Sequence, residues 1–474
     1  MYDAETGFRT LRKRASVTLV AVDDTDSRTG GLCTTYVATL LAERLEAAAD
    51  ARVRRRLLVR LNPAVKHKTR GNASVALHVD CDPEVAFETA AELVEEFAVV
   101  EDPRTSPGVV VADIDAGGDL FTPSTSPIPE AVAAFARRAM RERLSLDDAT
   151  ALADDCGFRH AGFGRGGEAG ADGTDAPAVE GRGRIGALAA IGAPAAFDDW
   201  TFEHISYREF DRCGTPREVD ADAVFESADA GYPRVWDTVD RKTGAVVCVP
   251  NAPGPILHGI RGDGPDACRR VADAIESEPV DRAATFLTNQ GTDAHLEPGR
   301  IGQLHDGAGY RVAVTVARAP ETREGGHVVV GLSGPDADAD GGASLTGVAF
   351  KPTGRFRDRV RALRAGDRLT VCGEFEVRED GERTLKLEKV AVRDLVRTEP
   401  AVPACPECER SMESAGRDQG YRCRDCGTDA PGKVDRPIDR DIEEGWYEVP
   451  PSARRHVAKP LVRGGFDAST HPER

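Results

Sequence analysis

Val17–Leu40 reads VTLVAVDDTDSRTGGLCTTYVATL, and that order of residue types leaves the chain few folds to choose from. Val17–Val22 is an apolar, β-branched run, the pattern of a buried strand. Asp23, Asp24, Thr25, Asp26 and Ser27 end it, Gly30 and Gly31 turn the chain, and a helical run follows from Cys33 to Leu45. A strand, an acidic turn, a glycine turn and a helix predict a layered α/β unit. Three carboxylates at one strand end repel each other. A hard divalent cation such as Mg²⁺, which takes oxygen ligands and bridges to phosphates, is the usual relief. The helix start at Cys33, Thr34 and Thr35 would turn N–H groups and hydroxyls to the same spot, which favours phosphate. An acidic turn that only caps a helix is the plainer alternative. No G-x-x-x-x-G-K-[ST] run occurs, so this is not a Walker A loop.

The next elements fit such a layer. Leu57–Leu61 and Ser74–Val79 read as strands, and between them lie Lys66, His67, Lys68, Thr69, Arg70, Gly71 and Asn72. Arg70 could grip phosphate bidentately and Gly71 lets backbone N–H groups approach; a solvated hairpin is the alternative. Carboxylates for a metal and cations for phosphates are the two halves of a nucleotide site. Glu84–Phe97 reads as a helix, Gly108–Ile114 as a strand and Ser126–Leu144 as a helix, giving the order βαββαβα. Gly162–Gly183 is glycine-rich and without periodicity, the texture of a surface insertion. Gly181–Gly186 matches G-x-G-x-x-G by letter but follows no clear strand, so the dinucleotide reading is set aside for a close-packed helix over Gly186–Gly192. Asp198–Arg208 and Tyr232–Asp240 read as strands with polar faces, followed by strand-like Pro255–Gly262, a helix at Pro265–Glu276 and a strand at Ala284–Thr288.

From about Arg300 the texture changes to five short strands: Tyr310–Arg318, His327–Ser333, Leu345–Phe350, Arg368–Val377 and Arg383–Val390. That number and spacing predict an OB-fold barrel, with Phe350, Lys351, Arg355 and Phe356 as candidate RNA contacts; an SH3-like barrel is the structural alternative. Cys405-x-x-Cys408 and Cys423-x-x-Cys426, fourteen residues apart, predict a zinc ribbon in which Zn²⁺ is structural. The tail beyond Val434 carries Trp446, Tyr447, Arg454, Arg455 and His456, suited to RNA or to packing on the ribbon.

Composition bounds what the site can serve. With 80 Asp and Glu against 62 Lys and Arg, the surface is that of a protein from a high-salt cytoplasm. At high salt, counterion release contributes little, so an RNA partner would be recognised by shape and specific contacts. Met1–Ser16 is polar and no apolar run reaches membrane-span length, so a soluble, cytoplasmic protein with no membrane and no DNA partner is expected. Of the 11 cysteines, seven are scattered and four form the two C-x-x-C pairs, a pattern that in a reducing compartment argues for metal rather than disulfides.

The chain resembles the archaeal tRNA(Ile) 2-agmatinylcytidine synthetase (TiaS) family over nearly its whole length. The runs that carry this are VDDTDS with CTTY, RLNP with KTRGN, SLDDA, RIGALAAIG, FEHISYR with CGTPR, GIRG, TNQGTDAHL and the terminal cysteine pairs. The resemblance implies a multidomain α+β protein. Its parts would be a discontinuous kinase-like catalytic domain (16–125 and 236–297), a ferredoxin-like domain (126–235), an OB fold (298–398), a zinc ribbon (399–435) and a tail (436–474). It implies that ATP drives attachment of agmatine to C2 of the wobble cytidine of the isoleucine tRNA with a CAU anticodon, which then reads AUA. By the resemblance, Asp23, Asp24 and Asp26 would hold Mg²⁺. Lys68 and Arg70, with Thr25, Ser27, Thr35, Gly71 and Asn72 around them, would bind ATP phosphates, and Thr34 could transiently accept phosphate. Agmatine needs a carboxylate for its guanidinium, and Glu203, Asp237 and Asp240 are the candidates. Val65 and His67 depart from the family run, and the Gly162–Gly183 insertion is longer than the pattern needs.

Two other functions compete. A non-catalytic OB-fold and zinc-ribbon RNA-binding protein would need no metal–phosphate site. A nucleotide-dependent RNA ligase or nucleotidyl transferase would need a lysine nucleophile, and lysines are few here.

Overall fold

The computed structural model describes residues 16–48, 51–66, 68, 71–115, 117–164, 180–335, 343–455 and 457–474. The predicted order is present from the start: β1 (Ser16–Asp23), α1 (Thr34–Ala48), β2 (Arg52–Arg60), β3 (Ala73–Asp80), α2 (Pro83–Phe97), β4 (Gly108–Asp115) and α3 (Glu130–Ala139). Helix α3 is shorter than the sequence suggested. Pro129 is extended and stands as its cap, and a proline holds the residue before it out of the helical region. A separate helix, α4 (Leu146–Asp155), begins where Ser145 Oγ accepts the Asp148 N–H at 3.1 Å.

The chain continues through β5 (Arg159–Gly162), α5 (Arg184–Ala196), β6 (Thr201–Arg208), α6 (Ala221–Gly231), β7 (Val235–Trp236), β8 (Val239–Asp240), β9 (Ala245–Val246), β10 (Ile256–Gly262), α7 (Pro265–Asp273) and β11 (Val280–Thr288). The expected strand Tyr232–Asp240 is split into β7 and β8 because Asp237 between them has φ 56°, outside the extended region. Helix α6, which the sequence reading passed over, is capped by the Asp220 carboxylate accepting the Ala223 N–H at 2.8 Å.

Nine strands form one sheet in the order β5-β4-β1-β3-β2-β11-β6-β10-β7. Every neighbouring pair is antiparallel except β2–β11, where the strands before α5 meet those after it. That junction has two registered pairs, and Asn289 extends it: its side chain accepts the Arg60 N–H at 2.7 Å and donates to the Arg60 carbonyl at 3.0 Å. Strand β6 pairs with both β10 and β11, so strands from the segments 126–235 and 236–297 interleave in this one sheet. The pleat sends Val20, Val22, Leu77 and Val79 under α1 and α2, and Leu19, Ala21, Leu57 and Val59 under α3 and α5. Helix α5 is buried along Gly186–Ala195, which explains the apolar stretch there as a core helix. Among the described residues no helix is long and apolar enough to cross a membrane.

After β12 (Leu296–Gly299) come β13 (Gly309–Thr322), β14 (Val328–Ser333), β15 (Ser344–Ala349), α8 (Arg355–Arg361), β16 (Arg368–Val377) and β17 (Arg383–Asp394). The five strands β13–β17 close in the order β13-β14-β15-β17-β16, with β16 returning to β13, and each overlaps a predicted strand. One candidate RNA contact is corrected: Phe356 is 1% exposed, because α8 turns it into the barrel core.

The cysteine-bearing unit stands on a two-stranded stalk, Thr398–Ala401 paired with Val434–Pro437. The tail then returns to the barrel. Gly445–Glu448 adds a strand beside β17 and Thr470–His471 pairs with that strand, so Trp446 and Tyr447 pack against the barrel, not the ribbon. His456 lies outside the described residues.

Candidate active site

The acidic turn is built by its own short hydrogen bonds. Asp24, at φ 60°, donates its N–H to Asp23 Oδ1 at 2.7 Å. Ser27 Oγ accepts the N–H groups of Thr29 (3.2 Å) and Gly30 (2.9 Å) and donates to Asp102 Oδ2 at 2.5 Å. Gly31, at φ 85°, has no room for a side chain, since a Cβ there would lie 2.6 Å from the Pro253 carbonyl. The turn therefore delivers α1 with Thr34 and Thr35 as its first residues, and Thr25 Oγ1 donates to Thr34 Oγ1 at 3.1 Å.

Asp23, Asp24, Asp26, Thr34 and Thr35 line one cavity of about 510 Å³, with Lys68, Gly71 and Asn72 of the basic loop. That volume suits a nucleotide-sized ligand. Thr25 and Ser27 stand behind the wall and brace it. Arg70 lies outside the described residues. Asn72, at φ 48°, donates its side-chain amide to the Asn62 carbonyl at 2.6 Å, and Lys68 Nζ reaches the Pro63 carbonyl. Burial lowers the Lys68 pKa.

The charges are strongly perturbed. Burial, then the neighbouring Asp24 carboxylate, pushes the Asp23 pKa well above its ordinary value. Burial raises Asp24 to about 6, against the pull of Arg182. All three carboxylates line the cavity and two are destabilised as anions, which invites a cation among them, but among the described residues only the four cysteines bring three or more ligand atoms within 4.8 Å of one another.

Sequence reasoning missed Arg182. Its Nη2 lies 2.8 Å from Asp24 Oδ2 and 2.7 Å from the Arg104 carbonyl. The signal lies in the Gly181–Gly186 run, where an arginine stands among glycines that let the chain approach the acidic turn. Arg60 and Lys66 also line the cavity.

Of the three agmatine candidates, Glu203 faces the cavity, beside Leu58, Ile205 and Ile256. Its carboxylate is held by Arg60 (3.0 Å) and Arg261 (3.2 Å). Burial pulls its pKa up, but Arg261 and Arg60 outweigh that and keep it below the ordinary glutamate value. The structure does not bring Asp237 and Asp240 to this cavity. Asp237 pairs with Arg454 at 2.8 Å, and Asp240 with Arg355 at 3.1 Å and with the Ser452 hydroxyl at 2.6 Å, so both anchor other segments. Arg355 is thereby also engaged within the protein. Phe350 and Lys351 stay at the surface, where Phe350 packs edge-on against His327 at 5.3 Å between ring centres.

The sulfur atoms of Cys405, Cys408, Cys423 and Cys426 all lie within 4.8 Å of one another. Tetrahedral ligation at about 2.3 Å separates sulfurs by roughly 3.8 Å, so the set fits Zn²⁺. Each pair forms the same knuckle: Glu409 donates its N–H to the Cys405 carbonyl at 2.8 Å and Gly427 to Cys423 at 3.0 Å, both with positive φ.

Three family models match the chain: the TiaS TCKD domain over residues 19–165, the TiaS FLD domain over 181–295, and the TiaS C-terminal zinc ribbon domain over 402–442. The isoleucine-tRNA 2-agmatinylcytidine synthetase TiaS of Haloquadratum walsbyi is 50% identical, across 97% of this chain and 100% of that protein. The chain belongs to the TiaS family. The TiaS of Methanosarcina mazei is 42% identical across 94% of this chain and 97% of its own. Among solved structures, a complex of TiaS with isoleucine tRNA and ATP matches with a TM-score of 0.79 at 36% identity, covering 97% of this chain and 100% of that one. A complex of TiaS with isoleucine tRNA, AMPCPP and agmatine matches with a TM-score of 0.77 at 34% identity, with the same coverage.

Proposed function

We infer that this chain is an ATP-dependent ligase that attaches agmatine to C2 of the wobble cytidine of the isoleucine tRNA with a CAU anticodon. One observation carries the reading: a TiaS-family chain whose acidic turn, helix-start threonines and basic loop line a single cavity. Its relatives have been solved with isoleucine tRNA and ATP, and with AMPCPP and agmatine. A purely RNA-binding protein has no use for such a cavity.

The chemistry follows from the cytosine C2 carbonyl, whose oxygen leaves poorly. Transfer of a phosphoryl group from ATP to that oxygen makes it a leaving group. Attack of the agmatine amine on C2 then expels phosphate, and the amine loses a proton. Asp23, Asp24 and Asp26 would hold Mg²⁺, which when bound neutralises phosphate charge. Lys66, Lys68 and Asn72 orient the phosphates, and the Thr34 hydroxyl at the start of α1 is placed to touch phosphate or to accept it transiently. Glu203, kept ionised by its arginines, suits recognition of the agmatine guanidinium rather than proton removal, with the aliphatic chain against Leu58, Ile205 and Ile256.

The barrel strands close in the order 1-2-3-5-4 with a helix between the third and fourth, which supports reading the barrel as an OB fold. Phe350 and Lys351 on its surface are offered to RNA. We place the division of the α/β part at the parallel β2–β11 junction, with the kinase-like half before it and the ferredoxin-like half after. This division differs from the interleaved boundaries expected from sequence.

The test incubates the protein in high salt with ATP, Mg²⁺, agmatine and a transcribed isoleucine tRNA bearing CAU, followed by nucleoside mass spectrometry. A cytidine heavier by agmatine less water, absent for Asp24→Ala, is the expected result. If tRNA binds but no amine tried is incorporated, the binding-protein reading replaces this one.

A further inference from the structure

Arg182 and the glycines that follow it meet the acid cluster from across the chain, 158 residues away from Asp24. We propose that Arg182 is a positioning residue for this cluster: it holds Asp24 in its left-handed conformation, on a turn that also fixes Asp23. The proposal rests on the reading that these carboxylates serve the ATP step.

The backbone of Asp24 sits at φ 60°, a region that L-residues other than glycine enter at a cost, aspartate and asparagine least. Such a conformation persists only where its surroundings over-determine it. Here the Asp24 N–H is spent on Asp23 Oδ1, while its carboxylate meets the Arg182 guanidinium at 2.8 Å and the Ser106 N–H at 3.3 Å. The same guanidinium nitrogen is 2.7 Å from the Arg104 carbonyl, so Arg182 ties Asp24 to the segment leading into β4. Both contacts come from one nitrogen of a planar guanidinium, whose two N–H bonds point in fixed directions; the ammonium of a lysine, on a shorter and freely rotating stem, is not held so.

Arg182 is itself locked in place. Its N–H donates to Ser106 Oγ at 3.1 Å, and the next N–H, of Gly183, donates to the Ser106 carbonyl at 2.8 Å. A Cβ on Gly183 would stand 2.7 Å from the Asp23 carbonyl, and one on Gly186 would overlap the Asp23 carboxylate. The start of α5 therefore presses on Asp23 while Arg182 grips Asp24. One rigid turn sets the spacing between the two acids.

The experiment uses the full chain with Arg182→Ala, Arg182→Lys, Gly186→Ala and Asp24→Ala, and measures agmatine incorporation, tRNA binding and thermal unfolding. Arg182→Ala is expected to lower kcat about 10- to 100-fold, the usual loss when a partner orienting a ligand residue is removed. KM for agmatine and Kd for tRNA should stay within about two-fold, while the Mg²⁺ concentration for half-maximal rate rises. Arg182→Lys should recover only part of the rate. Gly186→Ala, which keeps the arginine and displaces Asp23, should show the same loss in kcat, and it decides the matter with the lysine variant if Arg182→Ala does not fold. The inference is overturned if folded Arg182→Ala keeps kcat within about two-fold of the parent, if Arg182→Lys restores it fully, or if Gly186→Ala is fully active. Full activity of Asp24→Ala would instead remove the underlying reading, and this inference with it.

Discussion

His78 and His258 lie inside the α/β part at 2% and 0% exposure, and burial lowers their imidazole pKa to about 3 and about 4. Neither ring nitrogen of His258 meets a hydrogen-bond partner among the described residues. In the unfolded chain both imidazoles titrate near 6.5. Between about pH 6.5 and 4 the unfolded state therefore takes up protons that the folded state refuses, and stability falls as the pH drops through that window. Each such histidine should contribute a slope of about 1 kcal/mol per pH unit there. His258→Leu removes one titration and two unpaired ring nitrogens. Urea unfolding at pH 7.5, 6 and 5 should show a shallower acid limb for it than for the parent. An unchanged slope would mean that His258 protonates freely in the folded protein.

The zinc ribbon is an element whose stability is nearly all metal. Its apolar centre is little more than Cys405, Met412 and Cys423, and it shares none of these with the barrel core. Chelation, or Cys408→Ser, should open residues 402–442 to protease while the main cooperative unfolding of the barrel and sheet shifts little. A loss of the whole cooperative transition would show instead that the stalk couples ribbon to barrel. The five barrel strands and the cysteine pairs were legible in sequence because each is written locally, in alternation and in spacing. Helices α4 and α6 were not. Both are short and open with an aspartate- or serine-capped acidic turn, which reads as a loop until their few apolar residues find a core. Tyr232–Asp240 has strand composition, yet Asp237 turns aside there because Arg454, from the far end of the chain, holds its carboxylate.

On the scale of the whole molecule, the tail fastens the barrel to the sheet through buried charge. Arg454 meets Asp237 at 2.8 Å and Glu448 at 2.5 Å, with all three side chains at 5% exposure or less. Arg463 reaches Asp199 at 2.9 Å and Asp263 at 2.6 Å on the sheet side. Arg454→Ala would leave two carboxylates buried without their cation, a change that costs about 3–5 kcal/mol. Denaturant unfolding should show that loss, with a smaller loss for Asp237→Asn, which removes one charge and keeps a hydrogen-bonding shape. Loss of activity by Asp237→Asn with stability intact would make Asp237 an agmatine candidate again.

The sequence by itself determined the strand that carries the acids, the threonines at the helix start, the barrel strands, the four cysteines and the family, because each lies in a contiguous run. Only the tertiary structure decided which charges meet. It sent Phe356 into the barrel, gave Asp237 and Asp240 to arginines of other segments, and left Glu203 facing the cavity. It also brought Arg182 to Asp24. Local pattern encodes which face a side chain takes, whereas a partner far along the chain is chosen by how the sheet and helices pack, and periodicity carries no record of that.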